Sequence, residues 1–139
     1  VTIKIDFDFD PNIKKVFIDP IMIKRVLINL LRNSIEATKC EGRILIKAFT
    51  KKDELVVEII DSGSGIPEVL CNDLFSKPVS SKQFGTGLGL PFCKRAIEMH
   101  GGNIDIISEV TQGTTARITL PLSVEIINQV YEIERSIDL

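Results

Sequence analysis

Asn29, Asn33 and Glu36 recur at intervals of four and three residues, the spacing that lines side chains along one stripe of a helix. An asparagine amide oxygen is a hard ligand of the kind that suits magnesium, an ion that commonly bridges to nucleotide phosphates. Taken alone, the stripe reads equally as a solvent-facing edge or as a ligand surface. Asp61-Ser62-Gly63-Ser64-Gly65-Ile66 follows a β-rich run. Its paired glycines let backbone approach a flat ligand closely, and a carboxylate at a strand end can accept a hydrogen bond from an exocyclic amine. By itself such a string is usually an ordinary turn. Gly85-Thr86-Gly87-Leu88-Gly89-Leu90 is the stronger signal, because alternating glycines lead into a helix whose free N–H groups and positive dipole end suit a polyphosphate. The glycine spacing does not meet GxGxxG and no Gly-Lys pair occurs, so Rossmann and Walker A phosphate sites are disfavoured.

These groups need elements to position them. Val1 to Phe9 alternates with period two and is broken by Asp10-Pro11-Asn12, which predicts an antiparallel ribbon with Val16 to Ile18 as the return strand. Asp19-Pro20 reads as an N-cap followed by proline at the first helical position. Apolar residues at Ile23, Leu27, Leu30 and Leu31 then carry a helix to about Lys39. Arg43 to Phe49 and Glu54 to Ile60 are predicted strands around the turn Lys51-Lys52-Asp53. From Asp61 to Leu90 no period is sustained, and a long loop of this kind inside a compact domain is usually functional. A second helix is expected from about Gly87–Leu90 to His100, with Phe92, Ala96 and Met99 on one face and Gly101-Gly102 as its stop. Strands at Asn103 to Ser108 and Thr115 to Leu120 close the domain, and Ile126, Val130, Ile133 and Ile137 stand at helical intervals in a tail from 123 to 139.

Composition narrows the partners. With 139 residues, 44% of them apolar and 26% charged, the chain has the balance of one folded domain. The net charge of -2 and the mixing of signs speak against nucleic acid or an anionic membrane as partner. Cys40, Cys71 and Cys93 are odd in number with no CxxC pair, which reads as free thiols and a cytoplasmic setting, whether or not a parent protein is membrane-anchored. No apolar run approaches the ~20 residues of a membrane span.

Taken in order, Asn29-Leu30-Leu31-Arg32-Asn33, Asp61 to Ile66, Phe75, Gly85 to Leu90 and Gly113-Thr114-Thr115 resemble the N, G1, F and G2 boxes of the histidine kinase branch of the GHKL ATPase superfamily. The resemblance covers essentially residues 1–122. Asn33-Ser34-Ile35-Glu36-Ala37, with Leu74-Phe75 and Ser80-Ser81-Lys82, is most similar to the nitrogen-regulation and sporulation type. It implies an α/β (α+β) two-layer sandwich of the Bergerat type, with a mixed sheet on one layer of helices and a mobile ATP lid at about 64–86.

Carried onto this sequence, the resemblance implies ATP and magnesium as ligands. Asn33 would coordinate magnesium, with Asn29 and Glu36 beside the phosphates. Asp61 would bind the adenine amino group, Gly63, Gly65 and Ile66 would shape the base pocket, and Thr114 would join a water network on the adenine edge. Lys82 would reach the terminal phosphate from the lid, and Gly85, Thr86, Gly87, Leu88 and Gly89 would wrap the polyphosphate. Lys77 and Lys39 are weaker contributors, since exposed loop lysines are normally solvated. Ser34 stands where alanine is commoner, a change expected not to affect binding. The activity implied is transfer of the γ-phosphoryl group of ATP to a histidine on a separate dimerisation and phospho-acceptor domain of the same kinase, with a response regulator indirectly downstream. Hydrolases of the superfamily place a glutamate where Asn29 stands, which weighs against an ATP-hydrolysing conformational switch; a serine-directed kinase of the same fold is the other alternative. His100 at a helix end is expected to cap carbonyls, and Gly101 after it departs from the acidic neighbour of a phospho-accepting histidine.

Overall fold

A computed structural model describes residues 2–13, 16–38, 41–66, 74–75, 89–109, 111–122 and 135. Five strands and two helices account for most of them: β1 (Thr2–Phe9), α1 (Pro20–Thr38), β2 (Glu41–Lys51), β3 (Glu54–Asp61), α2 (Gly89–Met99), β4 (Asn103–Glu109) and β5 (Gly113–Pro121). They form one mixed sheet in the order β1-β2-β3-β5-β4. The tail from 123, apart from Arg135, lies outside the described residues, and so does most of the expected lid.

The expected antiparallel return at Val16 to Ile18 is corrected: those residues form no strand. Instead β1 pairs in parallel with β2, from Thr2↔Glu41 to Phe9↔Ala48. Parallel neighbours need a long crossover, and α1 supplies it. Period-two alternation reveals which face each residue takes but not which strand it meets. The other three pairings are antiparallel.

Local chemistry explains the helix ends. Asp19 Oδ1 accepts from the Ile21 and Met22 amides at 3.0 and 3.1 Å, an N-cap satisfying two of the free donors of α1. At the end of α2, Gly101 takes a φ of +74°, its amide donates to Glu98 O at 2.9 Å, and the Gly102 amide donates to Ile97 O at 2.9 Å. This is the paired closure of a Schellman motif. His100 belongs to the same junction. Its Nδ1 lies 2.7 Å from Ala96 O, and its Nε2 accepts from the Asp19 amide at 3.0 Å. Nδ1 therefore carries the proton, and the ring fastens the end of α2 to the start of α1.

One face of the sheet meets the helices. Ile44, Ile59, Ile104, Ala116, Ile118 and Leu120 pack against Ile23, Val26 and Leu30 of α1 and Cys93, Ala96 and Ile97 of α2. Burial of each large side chain contributes about 1.5–3 kcal/mol. The apolar face of α2 is rotated from the one expected, since Met99 is exposed and Cys93 and Ile97 are buried.

The opposite face carries no helix among the described residues. There the register aligns Asp8, Lys47, Glu58, Arg117 and Asp105 across all five strands, an alternation of charge perpendicular to the strands. At its centre Arg117 Nε donates to Glu58 Oε2 at 3.0 Å, with a second guanidinium nitrogen also at 3.0 Å. Opposite charges on facing strands support the pairing. Glu58 is the buried partner. Arg117→Val should cost about 1–2 kcal/mol, because it leaves a buried carboxylate uncompensated, whereas adding Glu58→Val should recover much of that loss. Urea unfolding of the single and double variants checks it.

Candidate functional site

Asp61 is the last residue of β3, and its neighbours on three elements turn donors toward it. The carboxyl is buried. Its Oδ1 accepts from the Gly63 amide at 2.9 Å and from the Thr114 amide at 3.2 Å, and the Ser34 side chain of α1 hydrogen-bonds it as well. Burial pushes its pKa above the usual carboxylate range, and the Gly63, Ser34 and Thr114 hydrogen bonds act in the opposite direction. The result is a concentrated acceptor, held rigidly.

The surrounding backbone is packed to suit. A Cβ at Gly63 would stand 2.6 Å from Ala37 O, so only glycine lets this loop lie against the end of α1. Gly113 has a φ of +91°, and a Cβ there would overlap the Asp61 carbonyl oxygen. Ser62 locks the loop onto β2: its amide donates to Arg43 O at 3.1 Å and its Oγ accepts from the Arg43 amide at 2.9 Å. The Ser64 amide reaches Ala37 O at 3.3 Å, and Ser64 O accepts from the Thr111 amide at 2.8 Å. Ser108 joins the set, accepting from the Ile66 amide at 2.8 Å and lying 2.7 Å from Thr114 Oγ1. Gly65 adopts a φ of +74° in the same loop.

Asn29, Asn33 and Glu36 run along α1 as expected, each half-buried. Asn29 Oδ1 lies 3.4 Å from where a Cβ on Gly89 would stand, so the polar stripe abuts the first residue of α2. Behind it, Cys93 hydrogen-bonds Asn29, and burial pushes its thiol up to about 12, which keeps it an inert neutral group. Glu36 Oε2 is buried with no hydrogen-bond partner among the described residues. Two amide oxygens and an unpartnered carboxylate oxygen on one stripe form a hard donor set that fits magnesium.

The structure thus brings together Asp61, Gly63, Gly65, Ile66 and Thr114 at one end, and places Asn29, Asn33, Glu36 and Gly89 along the facing helices. Lys77, Lys82, Gly85, Thr86, Gly87 and Leu88 lie outside the described residues, as does Lys39. Two described lid positions are packed: Leu74 is buried, and Phe75 rests against the core with the Lys94 ammonium 5.6 Å from its ring centroid.

Two residues escaped the sequence reading. Ser34, expected not to affect binding, hydrogen-bonds the Asp61 carboxyl. A signal was present, because Ser34 continues the buried stripe Ile23, Val26, Leu30, Ser34, Thr38, and a serine on a core stripe needs a partner. Ser108 left no such trace: Gly113 and Thr114 lie just across the turn that follows it, but the Ile66 amide that completes its set is 42 residues away.

Residues 18–124 match the family described as histidine kinase-, DNA gyrase B- and HSP90-like ATPase. The chain belongs to that family. It is 40% identical over 101 residues to sporulation kinase D of Bacillus subtilis, covering 73% of this chain and 20% of the relative. It is 32% identical over 127 residues to the circadian input-output histidine kinase CikA of Synechococcus elongatus, covering 87% of this chain and 17% of that protein. Among solved structures, the catalytic domain of histidine kinase ThkA matches with a TM-score of 0.77 at 38% identity, over 86% of this chain and 78% of that one. The fold is therefore that of histidine kinase catalytic domains. The chain spans 20% or less of the length of these two curated relatives.

Within this fold Asp61 is costly to ionise, and Ser34 offsets part of that cost. Because the folded pKa is raised, stability is greatest where the carboxyl is protonated and falls as pH rises through that pKa. Ser34→Ala removes an influence that lowers the pKa, so it should raise the pKa further. It should cost about 1–2 kcal/mol at neutral pH and progressively less in acid. Carboxyl titration by NMR together with urea unfolding across pH checks both expectations.

Proposed function

We propose that this chain is the nucleotide-binding catalytic part of a sensor histidine kinase, which binds Mg-ATP and donates its γ-phosphoryl group to a histidine on a separate dimerisation domain of the same protein. The observation that carries the reading is the buried Asp61 carboxylate, held by Ser34, Gly63 and Thr114 and adjoining the asparagine stripe of α1. A carboxylate so held offers its remaining acceptor capacity to a donor such as the adenine 6-amino group.

The roles of the other residues are those that the family resemblance implies. Gly63 and Gly65 bring backbone alongside the base, and Ile66 and Thr114 border it. Asn33 holds the magnesium, with Asn29 and Glu36 adjacent. Bound magnesium supplies charge neutralisation on the phosphates. Gly85, Thr86, Gly87 and Leu88, with Gly89 at the first position of α2, would offer backbone N–H groups to the polyphosphate, and Lys82 and Lys77 would supply positive charge. Phosphoryl transfer depends chiefly on positioning and electrostatic stabilisation, so the domain needs no nucleophile of its own. A response regulator is the downstream partner, and the setting is cytoplasmic.

Asn29, where superfamily hydrolases place a water-activating glutamate, favours transfer over an ATP-driven switch. His100 is engaged at both ring nitrogens, with Asp19 and Ala96, and is a structural residue in this reading.

Asp61→Asn should weaken ATP binding roughly tenfold to a hundredfold, the worth of a hydrogen bond to an ionised group, while leaving the fold intact. Calorimetric titration measures it, and unchanged affinity removes Asp61 from the site. Mixed with a histidine-bearing dimerisation domain and γ-labelled ATP, the chain should place acid-labile label on that domain, and Asn33→Ala should abolish the transfer. Acid-stable label on this chain itself would instead favour the serine-kinase alternative.

A further inference from the structure

The Ser108 hydroxyl sits among three partners: the Ile66 amide at 2.8 Å, Gly113 O at 3.1 Å and Thr114 Oγ1 at 2.7 Å. A serine hydroxyl has one hydrogen to give and two lone pairs to receive. The Ile66 amide can only donate, so it occupies one lone pair. The Gly113 carbonyl can only accept, so it takes the hydroxyl hydrogen. Toward Thr114 a single lone pair remains. Satisfying all three contacts together leaves one arrangement, in which the Thr114 hydroxyl is the donor and Ser108 the acceptor.

That arrangement has a consequence at Thr114. With its hydrogen committed to Ser108, its oxygen has only lone pairs to offer elsewhere. Thr114 stands opposite Asp61 in the β3–β5 register and donates its own amide to the Asp61 carboxylate. The carboxylate is likewise an acceptor. Both groups at this edge therefore present acceptors, the pattern that welcomes an amino group and repels a carbonyl, directly or through a water.

We propose that Ser108 is a specificity-determining positioning residue: by fixing the Thr114 hydroxyl as an acceptor, it makes the edge beside Asp61 select a base with an exocyclic amine over one with a carbonyl at that place. The proposal rests on the reading of Asp61 as the adenine site. Ser108 touches no nucleotide in this scheme and acts through Thr114 while anchoring the loop at Ile66.

Titration of the 139-residue chain with Mg-ATP and Mg-GTP tests it. The wild type should prefer ATP. Ser108→Ala frees the Thr114 hydroxyl to turn and donate, so the ATP-to-GTP preference should shrink about tenfold, the equivalent of one hydrogen bond. Ser108→Thr keeps the hydroxyl and should restore the preference, whereas a generally loosened fold would not regain it. In a Thr114→Val background, Ser108→Ala should change the preference no further. Should Ser108→Ala fail to fold, Ser108→Cys serves in its place, since its thiol is a weak acceptor and an intermediate loss is expected. An unselective wild type overturns the proposal, as does an unchanged preference in Ser108→Ala while Asp61→Asn still weakens ATP. If Asp61→Asn leaves ATP binding untouched, the adenine reading itself fails.

Discussion

Burying the Asp61 carboxylate is possible only because a helix, a glycine loop and a neighbouring strand each bring it a hydrogen-bond donor. An ionised carboxylate taken from water without partners carries a penalty larger than a small domain can absorb. Ser34, the Gly63 amide and the Thr114 amide reduce it. Each donor constrains its own element. Ser34 reaches the carboxyl only when α1 lies on the sheet along its Val26, Leu30, Ser34 stripe, so the core and the polar site share one docking geometry. Gly63 and Gly113 can come so near only by lacking a Cβ.

The two faces of the sheet divide the labour. Apolar side chains on one face hold α1 and α2, and those helices wall the site. The other face carries charges that alternate in register, and at its centre Glu58 and Arg117 form an ion pair. Helix ends are secured separately from the core. Asp19 caps α1, the Gly101-Gly102 closure ends α2, and His100 joins the two junctions. Fixing both helices at that corner sets the approach of Asn29 to Gly89, where the polar stripe of α1 meets the start of α2.

Much of this architecture is local in origin and could be read from residue order. The Asp19-Pro20 cap, the helical spacing of Ile23 to Leu31 and the Gly101-Gly102 stop place both helices to within about two residues, since capping and periodicity act over a single turn. The boxes from Asn29 to Thr114 identified the family for the same reason: each is a short run whose chemistry depends on its own spacing. The pairing of β1 was not legible. Alternation in Ile3, Ile5, Phe7 and Phe9 is the same whether the partner is a hairpin return or a strand beyond a crossover helix.

What the amino-acid order alone determined was both helices with their ends, the strands from β2 onward and the types of group available for binding. Tertiary structure decided which of those groups meet. Thr114 lies 53 residues from Asp61, Ser108 lies 42 from Ile66, and His100 lies 81 from Asp19. No local rule joins such positions. Their distances and donor–acceptor roles arise only when helix and sheet pack, because a hydroxyl such as Ser34 or Ser108 takes its function from the partners that burial leaves within reach.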